Sequence, residues 1–387
     1  MSKRICKLQS TGITIDGAVS FVKPCCHFDV HKTLDLPDIS EIQNFEEVLN
    51  SNLTKWIKKQ TKRSRISQCD TCWDRESRNL QSRRLYFNEK LEGNSNTVEN
   101  LQIALDYTCN LMCRICAPKH SSKWNSAKNV LTQLKEITRK PIYSPIPRGK
   151  NYSQNLKRVI ENSNLTYLKV VELIGGEPFY SKHFNWFFDT IDKKANLENI
   201  EFICVTNGTI FPAEETVKKI KKFKGANIKL SIDAIGNLAE STRYGVDWHT
   251  IDKNIRQWAK LQEETDDIAI RANPTVSILN VNKMQEVIDY FDQFNIRVIP
   301  HGLIGPEWLC LEQIPLEIRQ KWTVDYWHPE QKKQMNNLIC STRKVHNYLD
   351  KFLASNKVLD NHYGLTFADN NVEIQKLAER FAINYVE

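Results

Sequence analysis

Leu105-Asp106-Tyr107-Thr108-Cys109-Asn110-Leu111-Met112-Cys113-Arg114-Ile115-Cys116-Ala117-Pro118-Lys119-His120 is the stretch on which the reading of this chain turns. The apolar run that leads into it, Leu101 to Leu105, has the composition of a buried strand. Directly behind that run three cysteines follow in the spacing C-x3-C-x2-C, and a helix-like segment comes next. Thiolates this close together are metal ligands. An iron-sulfur cube ordinarily takes four cysteines, so a loop with three leaves one iron free to hold something other than protein. Zinc is the rival reading. His120, four residues after Cys116, would complete a Cys3His set, and zinc sites accept C-x2-4-C pairs. Spacing alone leaves the two open.

The 387 residues around this loop suffice for one large domain plus a smaller one or two extensions. With 41% hydrophobic and 26% charged residues and no apolar run of membrane length, the chain reads as soluble and globular, with no membrane partner. Met1 to Gly17 holds no apolar core of signal-peptide length, so a reducing, cytoplasmic compartment is expected. In such a compartment the eleven cysteines are metal ligands and buried thiols rather than disulfides. Cys6, Cys25, Cys26, Cys69 and Cys72 form a group ahead of the triad, while Cys204, Cys310 and Cys340 are scattered singles. The net charge of +8 concentrates at Lys55, Lys58, Lys59, Lys62, Arg63 and Arg65, beside a cysteine pair, and again at Lys218, Lys219, Lys221, Lys222 and Lys224. The second run shares its segment with Val217, Ile220 and Phe223 at helical spacing and reads as a solvated helix face.

Near the N-terminus, Ile13 to Ile15 and Ala18 to Val22 flank the turn signal Asp16-Gly17 and read as a small hairpin. Cys6 stands before it and Pro24-Cys25-Cys26 after it. A helix-like segment follows from Ile42 to Lys59, and Cys69-Asp70-Thr71-Cys72 then opens a helical stretch through Arg84. A Cys-x2-Cys pair joined by two distant thiols completes a four-ligand site, for zinc or for an iron-sulfur cluster. Adjacent Cys25 and Cys26 do not readily both serve one cube, and Cys25, held after Pro24, is favoured.

From about Leu101 strands alternate with helices, the pattern of a parallel sheet built from βα units and hence of an α/β fold. Six strands are expected, at Leu101 to Tyr107, Tyr167 to Ile174, Ile200 to Thr206, Ile228 to Asp233, Ile268 to Ser277 and Arg297 to Pro300. Helices fit between them at Ser122 to Lys135, Lys182 to Lys193, Ala213 to Phe223, Trp248 to Glu263 and Asn282 to Phe294. Ile137 to Asn164, with its prolines, serines and asparagines, reads as an insertion and a candidate lid. Past Pro300 the alternation stops; Leu316 to Trp327 and Val345 to Ala354 look helical, and a tail from Val372 to Tyr385 closes the chain. The expected division is a cysteine-rich unit over 1–98, the βα units over 99–302 and a helical C-terminal extension over 303–387.

In such sheets ligands bind outside the carboxyl ends of the strands, and each strand end here carries a polar element. Gly175-Gly176-Glu177-Pro178 follows the second strand, Thr206-Asn207-Gly208 the third, and Ser231 and Asp233 mark the fourth. A Gly-Gly pair lets backbone approach a ligand closely, and a carboxylate behind it accepts hydrogen bonds from an ammonium group. Taken with Cys109, Cys113 and Cys116, this order resembles the radical S-adenosylmethionine (radical SAM) superfamily over residues 101 to 301. The resemblance implies a partial (β/α)6, TIM-like barrel. It implies that the three cysteines hold a [4Fe–4S] cluster whose open iron is chelated by the amino and carboxylate groups of S-adenosyl-L-methionine. Gly175, Gly176 and Glu177 would then line the methionyl amine, Ser231 and Asp233 would lie near the ribose, Arg243 would face the carboxylate, and Asn207 would shape the same pocket. Ile115 stands where the family usually has an aromatic residue, which supplies apolar packing without ring stacking on adenine. The N-terminal part is similar to the twitch or SPASM-like units of that family, which implies an auxiliary [4Fe–4S] cluster on Cys6, Cys25, Cys69 and Cys72.

The implied chemistry is reductive cleavage of S-adenosylmethionine to a 5'-deoxyadenosyl radical that takes hydrogen from a substrate, with the auxiliary cluster assisting. The implied partner is a reductant such as flavodoxin or ferredoxin. A peptide or protein side chain is the first substrate class considered; nucleotides, nucleic acids and sugars are the others that relatives with auxiliary clusters handle. A non-catalytic iron-sulfur electron carrier is a rival that would have no use for the strand-end motifs. A basic, zinc-containing RNA binder is a third reading, supported by the net charge but lacking a stacking platform.

Overall fold

The computed structural model describes residues 5–15, 20–29, 36–77, 81–94, 96–140 and 151–383. The Asp16-Gly17 turn and the middle of the proline-bearing insertion, 141–150, lie outside the described residues. The chain forms two compact units: Met1–Tyr107 with Ile146–Val205 and Pro212–Asn227, and Thr108–Pro145 with Thr206–Phe211 and Ile228–Glu387. The parallel-sheet α/β architecture expected from the alternation is present. Among the described residues no helix is long and apolar enough to cross a membrane.

In the first unit Glu201–Thr206 lies parallel to Val170–Ile174, that strand to Asn100–Ala104, and that one to Gly12–Ile15. Val22–Lys23 closes the edge in antiparallel sense. The expected N-terminal hairpin therefore does not stand apart; its first strand extends the parallel sheet. The cause is burial: all four residues of Gly12–Ile15 are buried, and an isolated hairpin would leave one of those faces bare. Thr14, Gln102 and Glu172 are in-register neighbours on three adjacent strands and form a buried polar row. The sequence interval Ile137 to Asn164 contains an unforeseen helix, Tyr152–Asn162, whose Tyr152 hydroxyl donates to the Ala104 carbonyl at 2.7 Å. On another side Phe188 packs edge-on to Phe202 and Phe223, which stack on each other at 5.1 Å. The lysine run at 218–224 is partly neutralised: Lys218, Lys219 and Lys222 pair with Glu214, Asp189 and Asp192. The expected helix Ile42 to Lys59 is two, Phe45–Leu49 and Asn52–Arg63, because Ser51 turns extended and caps the second by accepting the Thr54 N–H.

The second unit carries the strand that expectation placed at Ile268 to Ser277, broken into Ile268–Ala272 and Thr275–Val276. Asn273-Pro274 intervenes, and Pro274 has no N–H for a ladder. The first piece pairs in parallel with Arg297–Val298 and the second with His301–Gly302. The Asn273 N–H is given instead to the Leu230 carbonyl at 2.8 Å, while Ser231 N–H bonds the Thr206 carbonyl at 2.8 Å. Ser231 and Asp233 thus follow the strand Gly225–Leu230 rather than lying within it. Helix Trp248–Glu263 buries Ile251, Ile255 and Trp258 and is capped by Asp247. Gly236–Thr242 and Pro329–Ile339 are further helices that periodicity did not reveal. In the C-terminal segment, Leu349–Tyr363 packs against both Lys128–Thr138 and Val372–Ile383.

Candidate iron-sulfur and cofactor sites

In the second unit the triad loop is shaped by its own backbone needs. Cys109 N–H bonds the Ser122 hydroxyl oxygen at 3.2 Å, the Ser121 hydroxyl donates to the Leu111 carbonyl at 2.6 Å, and Cys116 N–H bonds the Cys113 carbonyl at 3.0 Å. Met112–Cys113 pairs antiparallel with Arg243–Tyr244. Gly245 must be glycine here: its φ is +99°, and a Cβ would stand 3.1 Å from the Asn110 carbonyl oxygen. The result gathers Cys109, Cys113 and Cys116 with Leu111, Ile115 and Val246 in one apolar cluster. Burial pushes the Cys116 thiol up to about 12 and the Cys113 thiol up as well, the latter against the pull of Arg243. Cations and N–H groups already point at these sulfurs: Leu111 N–H at 3.5 Å and Asn207 Nδ2 at 3.8 Å from Cys109 Sγ, and Arg243 Nη1 at 4.0 Å from Cys113 Sγ. Three thiols so arranged suit a cluster with one open iron, since hydrogen bonds to sulfur stabilise its negative charge.

Arg114, between two of the cysteines, is a site residue that sequence reading passed over. It is 1% exposed. Its N–H bonds Thr242 C=O at 2.9 Å, Nε bonds Ser241 C=O at 2.6 Å, Nη1 bonds Asn356 Oδ1 at 3.0 Å, and Nη2 pairs with the Asp360 carboxylate. Three residues after Asp360 in the helix Leu349–Tyr363, Tyr363 donates its hydroxyl to Met112 C=O at 2.6 Å and stacks on Tyr244 at 4.1 Å. The helix Leu349–Tyr363 thus clamps the triad loop. The only hint in the sequence was a guanidinium placed amid apolar residues and thiols.

The remaining strand-end residues fall in both units. In the first, Gly175 and Gly176 have φ of +74° and +51°, and a Cβ on Gly175 would sit 2.6 Å from the Ala104 Cβ. No other residue fits that position. Glu177 behind them is 1% exposed, and its carboxylate accepts the Phe179 N–H at 3.2 Å. In the second, Asn207 donates to Asn110 Oδ1 at 2.9 Å and accepts the Thr209 N–H at 2.9 Å. Asp233 and Arg243, expected at different ends of the cofactor, are each other's partners: Arg243 Nε and Nη2 reach Asp233 Oδ2 at 2.8 and 2.7 Å, while Thr275 N–H holds Oδ1 at 2.8 Å. Burial pushes the Asp233 carboxyl up, against Arg243. Ser231 is half-buried at the end of its strand.

Back in the first unit, Cys6, Cys25, Cys69 and Cys72 line a single cavity, together with Gln9, His27, Trp73, Arg83 and Arg84. Cys26 is not among its lining residues. Cys6 precedes the short helix Leu8–Thr11, Cys25 follows Val22–Lys23, and Cys69-Asp70-Thr71-Cys72 spans the junction from Ser67–Cys69 into the helix Asp70–Ser77. Burial pushes Cys6 up to about 12 and Cys69 to about 11, each raised further by neighbouring thiols. Gln9 Nε2 stands 3.7 Å from Cys69 Sγ and His27 Nδ1 3.9 Å from Cys72 Sγ. His27 and Arg83 were not singled out on sequence. Among the described residues no group of three or more His, Cys, Asp or Glu side chains is arranged to hold a single metal ion. Four thiols around one cavity are a donor set that fits a cluster.

Residues 106–270 match the model of the radical SAM superfamily, and residues 6–73 match that of an iron-sulfur cluster-binding domain, SPASM. No curated protein matches the chain. Similar solved structures include anSMEcpe with bound AdoMet and Cp18Cys peptide, at 17% identity over 58% of this chain and 57% of that one with a TM-score of 0.36. Another, anSMEcpe with bound AdoMet, shares 18% identity over 58% of each chain with a TM-score of 0.39. Streptococcus suis SuiB bound to S-adenosylmethionine shares 13% over 81% of this chain and 59% of that one, with a TM-score of 0.34. The chain spans less than two thirds of the length of these solved structures. The zinc reading of the cysteine groups gives way to iron-sulfur. The chain carries a radical SAM domain preceded by an iron-sulfur cluster-binding SPASM domain, and its cofactors are S-adenosylmethionine and [4Fe–4S] clusters, an auxiliary one among them.

Proposed function

We propose that the chain is a radical SAM enzyme that removes hydrogen from a peptide or protein side chain, with Cys109, Cys113 and Cys116 holding the S-adenosylmethionine-binding cluster and Cys6, Cys25, Cys69 and Cys72 an auxiliary one. The observation that carries this reading is the pair of donor sets: an open triad in one unit, and four thiols from three separate stretches lining one cavity in the other. When bound, a cluster with S-adenosylmethionine supplies one-electron cleavage of the sulfonium and hydrogen abstraction. Toward it, Gly175 and Gly176 would admit the methionyl amine to bare backbone and Glu177 would accept its hydrogen bonds. Asn207 would orient the same pocket, and Ser231 would serve the ribose. Asp233 and Arg243 would act as one unit, the guanidinium held toward the carboxylate by the buried carboxyl group. The segment 1–98 would be the auxiliary-cluster module, and a flavodoxin or ferredoxin the electron donor. The test is anaerobic reconstitution with iron and sulfide, followed by reductant, S-adenosylmethionine and deuterated substrate pools. Deuterium in 5'-deoxyadenosine from peptides is the expected result. Label from nucleotides, nucleic acids or sugars instead would replace the substrate class, and iron binding without any cleavage of S-adenosylmethionine would leave an electron carrier.

A further inference from the structure

Arg83 opens the helix Arg83–Lys90 and lines the four-cysteine cavity. Its guanidinium is held from behind, with both Nη atoms on the Glu172 carboxylate, one of them 3.2 Å from Oε2. Glu172 is fixed in turn by Gln102 Nε2 at 3.1 Å, and Gln102 Oε1 accepts the Thr14 hydroxyl at 3.2 Å. Because Thr14, Gln102 and Glu172 sit side by side on three parallel strands, the carboxylate that orients Arg83 is anchored in the sheet. The guanidinium also lies over the Phe87 ring at 4.5 Å, which removes another degree of freedom. A guanidinium is a rigid fork, and one gripped through both Nη atoms keeps a separate donor in Nε–H. That Nε is sealed from solvent and has no hydrogen-bond partner among the described residues. Buried donors are rarely left unmet in native interiors, and thiols form much of the wall of the cavity that Arg83 lines.

On the reading of this cavity as the auxiliary-cluster site, we infer that Arg83 donates its Nε–H to a sulfur of that cluster or of its Cys25 ligand, and so sets the cluster's reduction potential. An N–H directed at sulfur favours the more negative, reduced state, and hydrogen bonds to the sulfurs are among the levers that set such potentials. Glu172 cancels most of the Arg83 charge, so the directed hydrogen bond is the agent rather than a bare cation. Two substitutions separate these contributions. Arg83→Lys keeps the charge and loses the Nε donor. Glu172→Gln keeps the shape and leaves the guanidinium uncompensated.

The experiment uses the full chain with Cys109, Cys113 and Cys116 all replaced by Ala, so that only the auxiliary cluster is observed. Iron per chain is measured, and a redox titration is followed by electron paramagnetic resonance. Arg83→Lys should retain its iron and show an on-the-order-of tenfold smaller ratio of reduced to oxidised cluster at a fixed potential, about 59 mV for one electron. Glu172→Gln should shift the ratio the other way. Unchanged potentials in both variants, with iron retained, would overturn the inference. So would loss of the cluster from both, because that is the behaviour of a brace. A parent protein with no cluster signal at all would overturn the reading of the cavity itself.

Discussion

Replacing Arg114 by Met tests whether the helix Leu349–Tyr363 holds the triad loop. The substitution keeps much of the side-chain volume and removes the guanidinium that joins Ser241, Asn356 and Asp360. Burial opposes the Arg114 charge, with Asp360 as its counter-ion. Asp360 is 18% exposed on its side chain, so its carboxylate would lose its counter-ion while largely away from water and keep the Phe367 N–H at 3.1 Å. Breaking a buried pair by deleting one member costs about 3–5 kcal/mol. For a unit of roughly 150–250 residues, where 1 kcal/mol moves Tm by about 2–4 °C, the unfolding midpoint should fall by about 6–20 °C. The consequence for the site follows from Tyr363, which bonds the Met112 carbonyl and stacks on Tyr244; loosening its helix loosens the cysteine loop. Thermal unfolding of the anaerobic apoprotein by circular dichroism reads the first effect, and iron per chain after reconstitution reads the second. A midpoint within about 2 °C of the parent would refute the reasoning, because no other group among the described residues replaces that ion pair.

The reconstituted chain should contain about eight iron atoms, as two four-iron clusters require, and replacement of all three triad cysteines by Ala should leave about half; iron and absorbance measurements decide it. Cys25→Ser should lose the auxiliary iron whereas Cys26→Ser should keep it, since only Cys25 lines the cavity; equal losses would mean that the cavity is not the site. Glu177→Ala should weaken S-adenosylmethionine binding by leaving an ammonium group poorly paired, and unchanged affinity by calorimetry would remove Glu177 from that role. Cys72→Ala should leave the triad cluster and uncoupled cleavage of S-adenosylmethionine intact while abolishing product, whereas a soluble variant lacking auxiliary iron yet making product at the parental rate would end the redox role.

The triad, the strand-end glycines and the Cys69–Cys72 pair were legible in the sequence because each depends on local covalent spacing. C-x3-C-x2-C places thiols on one short loop whatever surrounds it, and Gly175 announces a backbone that no side chain tolerates. Strand existence was equally plain from apolar runs such as Val170–Ile174, which is almost wholly buried. Boundaries were less so. Pro274 and Ser51 each broke an element that periodicity had drawn as continuous, although both residues carry their own stop signal.

What sequence by itself determined is therefore the donor inventory and the α/β alternation, which follow from interactions between near neighbours in the chain. Tertiary structure alone decided which distant groups meet. Cys6 and Cys72 reach one cavity because Gly12–Ile15 joins a parallel sheet at Asn100–Ala104, a pairing worth forming only when both faces can be buried. Asp233 and Arg243 became partners because a buried carboxylate needs the nearest cation. Arg114 became the hinge pin of its loop because a helix 242 residues later supplies Asn356. No periodicity encodes such a meeting; it is set by which buried charges can be satisfied once the chain has packed.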